Sequence, residues 1–273
     1  MGLRVNSNSA SINAQRNLSI STNSLQRSLS RLSSGLRITR ASDDAAGLAI
    51  SERFRADIRS QGQAQRNAND GISLLQIGEG ALNEVSSILI RQRELAIQAA
   101  NGTLGTEERA TVNQEFQDLK SEIDRIAAVT QFNGTTILAS GGDTTFQIGI
   151  DNTSSDRITI SSVDSRSAAI GTSGLAVSTA AGAQTALSAI DTAISNVASL
   201  RATFGTVQNR LESAIRSLAV AQENSIAAES RIRDVDFASE TAELTRTQVL
   251  QQAGISVLAQ ANVSSQAAVR LLQ

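Results

Sequence analysis

Two adjacent acidic pairs are the residues of this sequence best suited to chemistry: Asp43-Asp44 and Glu107-Glu108. Paired carboxylates can act as general acid and base, or they can bind a divalent cation. Adjacent positions on a helix do not face each other, however, and the chain has no His or Cys to complete a metal site. A carboxylate at the start of a helix instead caps free backbone N–H groups. We therefore interpret both pairs as capping residues, with Ser42 or Asp43 as one N-cap and Thr106 as the next.

No other motif predicts catalysis. A zinc-protease helix of the His-Glu-X-X-His type is excluded because the chain has no His. The glycines are not spaced as in a phosphate-binding loop. Gly78 and Gly80 lie inside a helical pattern, where glycine is unfavourable, so either close packing or a tolerated weak point explains them, and we favour packing. Asp234-Val235-Asp236 is interpreted as a junction between domains. We expect no enzyme activity, no cofactor and no metal.

The composition favours long helices over a compact globular core. Of 273 residues, 2% are aromatic, and the chain has no Pro, whereas compact domains usually use aromatic residues for bulk and Pro in loops. The net charge of −2 argues against a nucleic-acid partner. No apolar run approaches the roughly 18 residues of a membrane span, and the N-terminus lacks the apolar stretch of a cleaved secretory signal.

The elements that would hold these residues are helices. Apolar spacing predicts one helix over 44–100, a break at 101–105 and an antiparallel helix from Thr106. The helical period returns at Leu187 and continues through Leu218, and a last helix extends from Ala238 to Leu272. Between the two halves, alternating apolar residues predict a β-hairpin with a loop; they are Phe146, Ile148, Ile150, Ile158 and Ile160. Residues 164–183 show no period, and we interpret them as an exposed excursion.

The two ends of the chain are predicted to pair with each other. The N-terminal stripe has the spacing of a helix that packs along a partner helix, and the C-terminal stripe is its natural mate. The N-terminal stripe is Leu18, Leu25, Leu29, Leu32 and Leu36, and the C-terminal one is Leu244, Ile255, Leu258 and Leu272. Two such helices bury little and leave an apolar outer face, so we infer that they need neighbouring copies of the same chain.

The first 42 residues contain six arginines and no acidic residue. They are Arg4, Arg16, Arg27, Arg31, Arg37 and Arg40. A solvated helix face explains this pattern; the family resemblance described below implies a second explanation, the lining of a channel, and we favour the two equally. An organellar transit peptide has a similar composition, but a removed peptide would not need a matching C-terminal partner.

The predicted fold class is therefore mostly α: an elongated antiparallel helical rod or coiled coil with a small β-hairpin region and paired N- and C-terminal helices. Residues 1–42 and 235–273 are predicted to form a terminal helical domain. Residues 43–234 are predicted to form a helical rod domain, with the β region at 130–183.

Four segments, taken together and in order, resemble a bacterial flagellin. They are LSSGLRI at 32–38 leading into SDDAAGLAIS at 42–51, NANDGIS at 67–73, RELAIQAANG at 93–102 and QQAGISVLAQAN at 251–262. The resemblance implies a structural subunit that polymerises into the extracellular flagellar filament for motility. It further implies terminal helices that line an inner tube and are disordered in the free monomer, and a rod that forms the outer tube. The variable outer insert of the family is nearly absent, which makes this a minimal form.

The resemblance also implies partners. These are other copies of the chain or sister flagellins, the flagellar type III secretion apparatus with its export chaperone, and the cap and hook-junction proteins. A hook–filament junction protein and a surface adhesin or immune-receptor ligand are the alternative functions.

The resemblance also implies a receptor contact. Arg91, Leu95 and Glu115 match positions read by the animal innate-immune receptor for flagellin, although Ile90 and Gln92 depart from strongly recognised relatives. O-glycosylation of 139–183 is the alternative to a plain surface there.

Overall fold

The structure, a computed structural model, describes residues 8–139, 142–161 and 163–270, with the backbone alone at 264–270. Within these residues the chain forms six α-helices and four short strands. The helices are α1 Ser9–Ser34, α2 Ala45–Ala100, α3 Thr106–Val129, α4 Ser167–Ile170, α5 Ala180–Arg233 and α6 Phe237–Arg270. The strands are β1 Gln131–Phe132, β2 Thr135–Thr136, β3 Thr144–Gln147 and β4 Arg157–Ile160. The mostly-α prediction is confirmed.

Helix α2 is continuous over 56 residues, so it is about 84 Å long at 1.5 Å per residue. Its N-cap is one residue later than predicted, because Asp44 Oδ1 accepts the backbone N–H of Gly47 at 2.8 Å. The cap predicted for α3 is also wrong. Gly105 precedes that helix without a side-chain bond, and Thr106 is its first residue, although Glu107 and Glu108 do lie in the first turn.

Both β-hairpins are antiparallel. Asn133 and Gly134 connect β1 to β2 with φ angles of 49° and 79°, the left-handed conformation that a tight hairpin turn requires. Strand β3 pairs with β4 in a register that places Thr144 opposite Ile160. The predicted hairpin is thus confirmed, but Ile148 and Ile150 lie beyond the end of β3.

The chain packs as two compact units. The first, which we call the terminal unit, joins the chain up to Ala56 with the chain from Asn224 onward. The second, the rod unit, is Asp57–Glu223. The predicted domain limits, after residue 42 and before residue 235, lie in the breaks between helices, whereas the two units divide after Ala56 and before Asn224.

The rod unit has an apolar core made by α2, α3, α5 and the β3–β4 hairpin. One cluster includes Leu75, Leu82, Leu89, Ile123, Ile158, Phe204 and Leu211, all almost completely buried. A second includes Leu95, Val112, Phe116, Val177 and Ile190. The 3-4 spacing that predicted these helices from sequence thus corresponds to the faces that meet in the core.

The prediction of an exposed excursion at 164–183 is wrong. The segment lies along α3 and is held by polar contacts: Asp124 accepts both the N–H of Ser167 at 2.7 Å and its hydroxyl at 2.8 Å. Further along, Asn113 Oδ1 accepts the N–H of Val177 at 2.9 Å. Ile170 and Val177 point into the core. Side chains of α3 supply these anchors, which is why the segment itself shows no periodic signal.

Candidate self-assembly surface

Helices α1 and α6 pack against each other along their length, which confirms the predicted pairing of the two ends. We call α1 and α6 the terminal pair. Small side chains occupy the closest contact between them: Ala14 and Ser28 on α1 and Thr247 and Ala261 on α6 are buried. A Cβ placed on Gly254 would lie 3.4 Å from Leu18 Cδ1 and 3.9 Å from Leu18 Cα. The two backbones therefore approach closely where the side chains are smallest.

These small residues recur at heptad spacing, which the sequence analysis missed. Thr247, Gly254 and Ala261 are seven residues apart, and Ala14 and Ser28 are fourteen apart. A seven-residue repeat keeps the same face of a helix toward its partner. The signal was present in the sequence, but it is carried by small residues, and the search followed leucines.

The predicted leucine stripe borders this line of small residues instead of forming its centre. Its half-buried members are Leu18, Leu25, Leu32, Leu36, Leu244 and Leu258. Leu29 and Ile255 remain 49% and 54% exposed, and Leu272 lies outside the described residues. The structure therefore half-buries five of the predicted positions within the pair, places Leu36 in the turn after α1, where it forms a bridge with Asp234, and leaves two positions facing solvent.

Helix α6 carries large apolar residues on several sides. At 100° per residue, Leu250 and Val257 border the side that faces α1, whereas Val249 and Val263 lie far from it; all four are exposed. A surface helix normally has one apolar stripe, and a helix that is apolar all round is usually buried. The terminal pair alone does not bury α6 in this way.

A groove between the two helices has apolar walls. It is lined by the large side chains of Ile20 of α1 and of Leu250 and Val257 of α6. The small residues Ala14 and Gly254 also line it. Polar contacts at the ends of the pair fix the register of the helices: Asn8 Nδ2 donates to the carbonyl of Ala261 at 2.9 Å. At the opposite end, Arg31 lies 3.6 Å from Glu240.

The junction between α5 and α6 pairs with the turn after α1. Gly35, with φ of 71°, ends α1, and its carbonyl accepts the N–H of Val235 at 3.0 Å, while the N–H of Arg37 donates to Arg233 at 2.7 Å. Asp236 Oδ1 accepts the N–H of Ala238 at 3.0 Å and so caps α6. The 234–236 stretch thus connects two helices, and it lies within the terminal unit and not at the predicted junction between domains.

Asp43 organises the loop between α1 and α2. Its Oδ2 accepts the hydroxyl of Thr39 at 2.9 Å, the N–H of Thr39 at 3.2 Å and that of Arg40 at 3.0 Å. The Thr39 hydroxyl is the largest cause that lowers the pKa of Asp43 below its ordinary value; the backbone bonds and Arg31 act in the same direction, and burial opposes them. Neither acidic pair forms part of a metal-binding group among the described residues.

Two family models match this chain. The bacterial flagellin N-terminal helical region matches residues 5–143, and the C-terminal helical region matches residues 187–272. The chain belongs to the bacterial flagellin family. It is 47% identical to the flagellin of Halalkalibacterium halodurans over 270 residues, which cover 98% of this chain and 99% of that one. It is 42% identical to the Bacillus subtilis flagellin, covering 99% and 100% of the two chains.

These relatives establish the function at the level of the family. This flagellin is a structural subunit of the extracellular flagellar filament, and with 273 residues it is a minimal one. A Treponema maltophilum protein that is 40% identical, over 98% of this chain and 99% of its own, is named a flagellar filament 30.7 kDa core protein. Self-association into a filament is therefore part of what this flagellin does.

Solved structures agree with the fold. The crystal structure of Bacillus cereus flagellin matches with a TM-score of 0.52 at 37% identity, covering 56% of this flagellin and 88% of that chain. A flagellar hook-associated protein from Vibrio parahaemolyticus matches with a TM-score of 0.59 at 15% identity, over 70% and 100% of the two chains. That second match shows a shared fold alone. Of the described helices, none has the length and hydropathy of a membrane span.

The structure brings together two of the three predicted receptor residues of this flagellin. Arg91 donates to Glu115 at 2.9 Å across α2 and α3, and to Glu94 at 2.9 Å within α2. The side chains of Arg91 and Glu115 are about half exposed, whereas Leu95 is only 1% exposed and lies in the rod core. Arg91 and Glu115 are thus accessible to a partner in this fold, and Leu95 supports them from inside.

The N-terminal arginines have different surroundings, and Arg4 lies outside the described residues. Arg31 pairs with Glu240, and Arg37 donates to the carbonyl of Ile232 at 2.7 Å. Arg27 donates to Ser24, while Arg16 and Arg40 are exposed. Both the solvated-face and channel-lining interpretations remain predictions.

Proposed function

We propose that this flagellin enters the filament by burying the exposed apolar side chains of its terminal unit against other copies. The observation that carries this proposal is their distribution: of seventeen exposed large apolar residues in the described chain, eleven belong to the terminal unit. Patches of this kind on a protein surface mark sites of association. The terminal pair supplies nine of them: Ile12, Ile20, Leu29, Phe237, Val249, Leu250, Ile255, Val257 and Val263.

The energy available from this burial is large relative to the stability of an isolated helix pair. Removing apolar surface from water contributes about 25 cal/mol per Å², and two helices in contact through small residues bury little of it. Association with further copies therefore supplies the stabilisation that the pair lacks by itself. We assign this association with further copies to the terminal domain predicted from sequence, residues 1–42 and 235–273. Its half-buried leucines border the contact between α1 and α6.

A matched pair of substitutions tests the proposal. Val257 in the groove of the terminal pair and Val220 on α5 of the rod unit are both 58% exposed. Val257→Asp should leave the monomer folded but abolish filaments in negative-stain images, because a carboxylate would be buried at the contact between copies. Val220→Asp is the control and should still assemble. Filaments of Val257→Asp as abundant as those of the wild type would contradict the proposal.

We further propose that the flagellar type III apparatus exports this flagellin, with an export chaperone that covers the terminal pair. Exposed Leu250 and Val257 would be the sites that the chaperone covers in transit, and cap and hook-junction proteins would meet the same helices at the ends of the filament. A chaperone that binds wild type and Leu250→Asp with equal affinity would contradict this assignment.

Recognition by the animal flagellin receptor is the second candidate function, and the exposed Arg91–Glu115 pair favours it. We expect Arg91→Ala to lower the response in a receptor reporter assay severalfold. Arg93→Ala is the matched control, since Arg93 lies on the same helix and forms a similar exposed ion pair, with Asp191 at 2.7 Å. An unchanged response to Arg91→Ala would exclude the contact.

A further inference from the structure

The two units of this flagellin carry opposite net charge. The terminal unit has 12 basic and 8 acidic residues, a net charge of +4, whereas the rod unit has 12 basic and 18 acidic residues, a net charge of −6. A surface of one sign on one unit and of the other sign on the second unit makes a chain complementary to copies of itself. Such complementarity steers association and fixes register.

Three of the twelve basic residues of the terminal unit line one groove. The second half of α1 and the 39–43 loop form its two walls, and its charged lining residues are Arg27, Arg31, Arg40 and Asp43. The groove therefore carries three guanidinium groups and one carboxylate. Oδ2 of that carboxylate already accepts three hydrogen bonds from the loop itself.

The guanidinium groups of this groove are largely unpaired. Arg31 lies 3.6 Å from Glu240, but its Nε is buried without a hydrogen-bond partner. Arg27 contacts only the hydroxyl of Ser24 at 3.1 Å, and among the described residues neither Arg27 nor Arg40 forms an ion pair. Arginine pairs with carboxylates through a planar fork of N–H groups. Arg27 and Arg40 of the groove are thus suited to pair with carboxylates of another molecule.

The rod unit offers such carboxylates at the turn between α2 and α3. Glu107 and Glu108 are exposed in the first turn of α3, directly after the loop 101–105. In the described chain, neither forms an ion pair, unlike Glu115, which Arg91 neutralises. The two exposed, unpaired carboxylates at this turn are opposite in charge to the two unpaired guanidinium groups of the groove.

We infer that the Arg27–Arg31–Arg40 groove of one copy binds the Glu107–Glu108 turn of a second copy. This inference rests on the proposed function, because it specifies a polar contact between copies beside the apolar one. The contact joins two different patches of the same chain, so it is heterologous, and a heterologous contact that does not close on itself generates a helical filament. It sets the register in which apolar burial then occurs.

Complementary charge reversal tests this contact with the full-length chain. One variant, R27E/R40E, reverses the groove, and the other, E107R/E108R, reverses the turn. Each variant alone brings like charges together at every such contact, so its critical concentration for assembly should rise about tenfold or more at low salt. In an equimolar mixture, alternating copies restore opposite charges at every contact, and assembly should return to within about threefold of wild type.

R16E is the matched control, because Arg16 is exposed on the same helix but outside the groove, and it should assemble like the wild type. Circular dichroism of each variant checks that its helices are intact. The defect of the single variants should shrink at about 1 M salt, where charges are screened beyond roughly 3 Å.

The outcomes separate this contact from the function itself. Wild-type chains that remain monomeric would overturn the proposed function together with the inference. Wild-type filaments with variants that assemble normally alone, or with a mixture that fails although both variants are folded, would overturn the inference only. Recovery in a chain that carries both reversals, without recovery in the mixture, would place the contact within one chain and also overturn it.

Discussion

The terminal unit and the rod unit have the same helical periodicity of apolar residues, but the two units bury those residues to different extents. In the rod, the apolar faces of α2, α3 and α5 meet in two clusters whose members are almost completely buried. In the terminal unit, the buried apolar side chains among the described residues are only Ala14, Ile38 and Ala261. The large apolar residues of the terminal pair remain mostly half-buried or exposed.

This difference shows that an apolar stripe does not by itself indicate a finished core. A rod with buried Leu, Ile and Phe gains enough from burial to fold as a unit. Two helices joined along small residues gain little, and isolated helices are marginal in water. We infer that the rod is stable in the monomer and that the terminal pair depends on the filament.

Hydrogen exchange should show the largest effect. In the monomer, amides in the core segments of α2 and α5 should be protected at least about 100-fold more than those of α1 and α6, because local opening is easiest where few apolar contacts are buried. In the filament, the difference should largely disappear. Equal protection of both regions in the monomer would remove the distinction between the two units.

Truncation of a core residue of the rod should destabilise the monomer far more than truncation of the exposed Leu29 of α1. Phe116→Ala removes a completely buried ring and should lower the free energy of unfolding by about 3–5 kcal/mol. Leu29→Ala removes a side chain that is 49% exposed and should change it by less than about 0.5 kcal/mol. Urea unfolding of the monomer, followed by circular dichroism, measures both; similar losses would contradict the comparison.

Two glycines within the rod sharpen the comparison at single-residue scale. A Cβ on Gly78 would lie 2.6 Å from the ring of Phe204, whereas nothing lies within 4 Å of one on Gly80. Gly78→Ala should therefore destabilise the rod by about 1–3 kcal/mol, and Gly80→Ala should stabilise it by about 0.5–1 kcal/mol. Thermal unfolding of the two variants measures both changes in stability. A stabilising Gly78→Ala together with a destabilising Gly80→Ala would show that α2 packs differently here.

The smallest effect concerns the loop of the terminal unit. Because the folded state lowers the pKa of Asp43, its carboxylate stabilises the fold above the ordinary value of 3.8, and this stabilisation is lost as the pH falls through the folded pKa. Thr39→Val removes the main donor and should raise the pKa of Asp43 toward that value. A carbon-13 titration of the side-chain carboxyls measures it. Asp164, whose pKa Arg166 lowers in the rod unit, is the control and should not move.

Much of this molecule could be predicted from local sequence. The helix at 44–100, its break near Gly102, the turn at Asn133-Gly134 and the pairing of the two ends all follow from periodicity and turn residues. The N-caps were misplaced because Asp43 and Asp44 are equally good caps in sequence, and only the loop geometry assigns Asp43 to Thr39 and Asp44 to the helix.

Other features could not be derived in this way. The 164–183 segment has no period because its anchors, Asn113 and Asp124, lie on another helix. Leu95 appeared as a contact residue, but its side chain faces the second core cluster. The seven-residue repeat of small residues on α6 could have been found in the sequence, but the close approach of Gly254 to Leu18 of the opposite helix could not.

By itself, the sequence determined where the long helices lie, that the termini pair, and which family the chain belongs to, since these depend on residues near one another in the chain or on segments matched in order. The tertiary structure decided which face of each helix is covered: small residues at the centre of the terminal pair, and leucines at its edge with their outer sides free. It decided also that Gly78 is packed and Gly80 is open. Such choices depend on the distance to residues far away in sequence, and a local pattern carries no information about that distance.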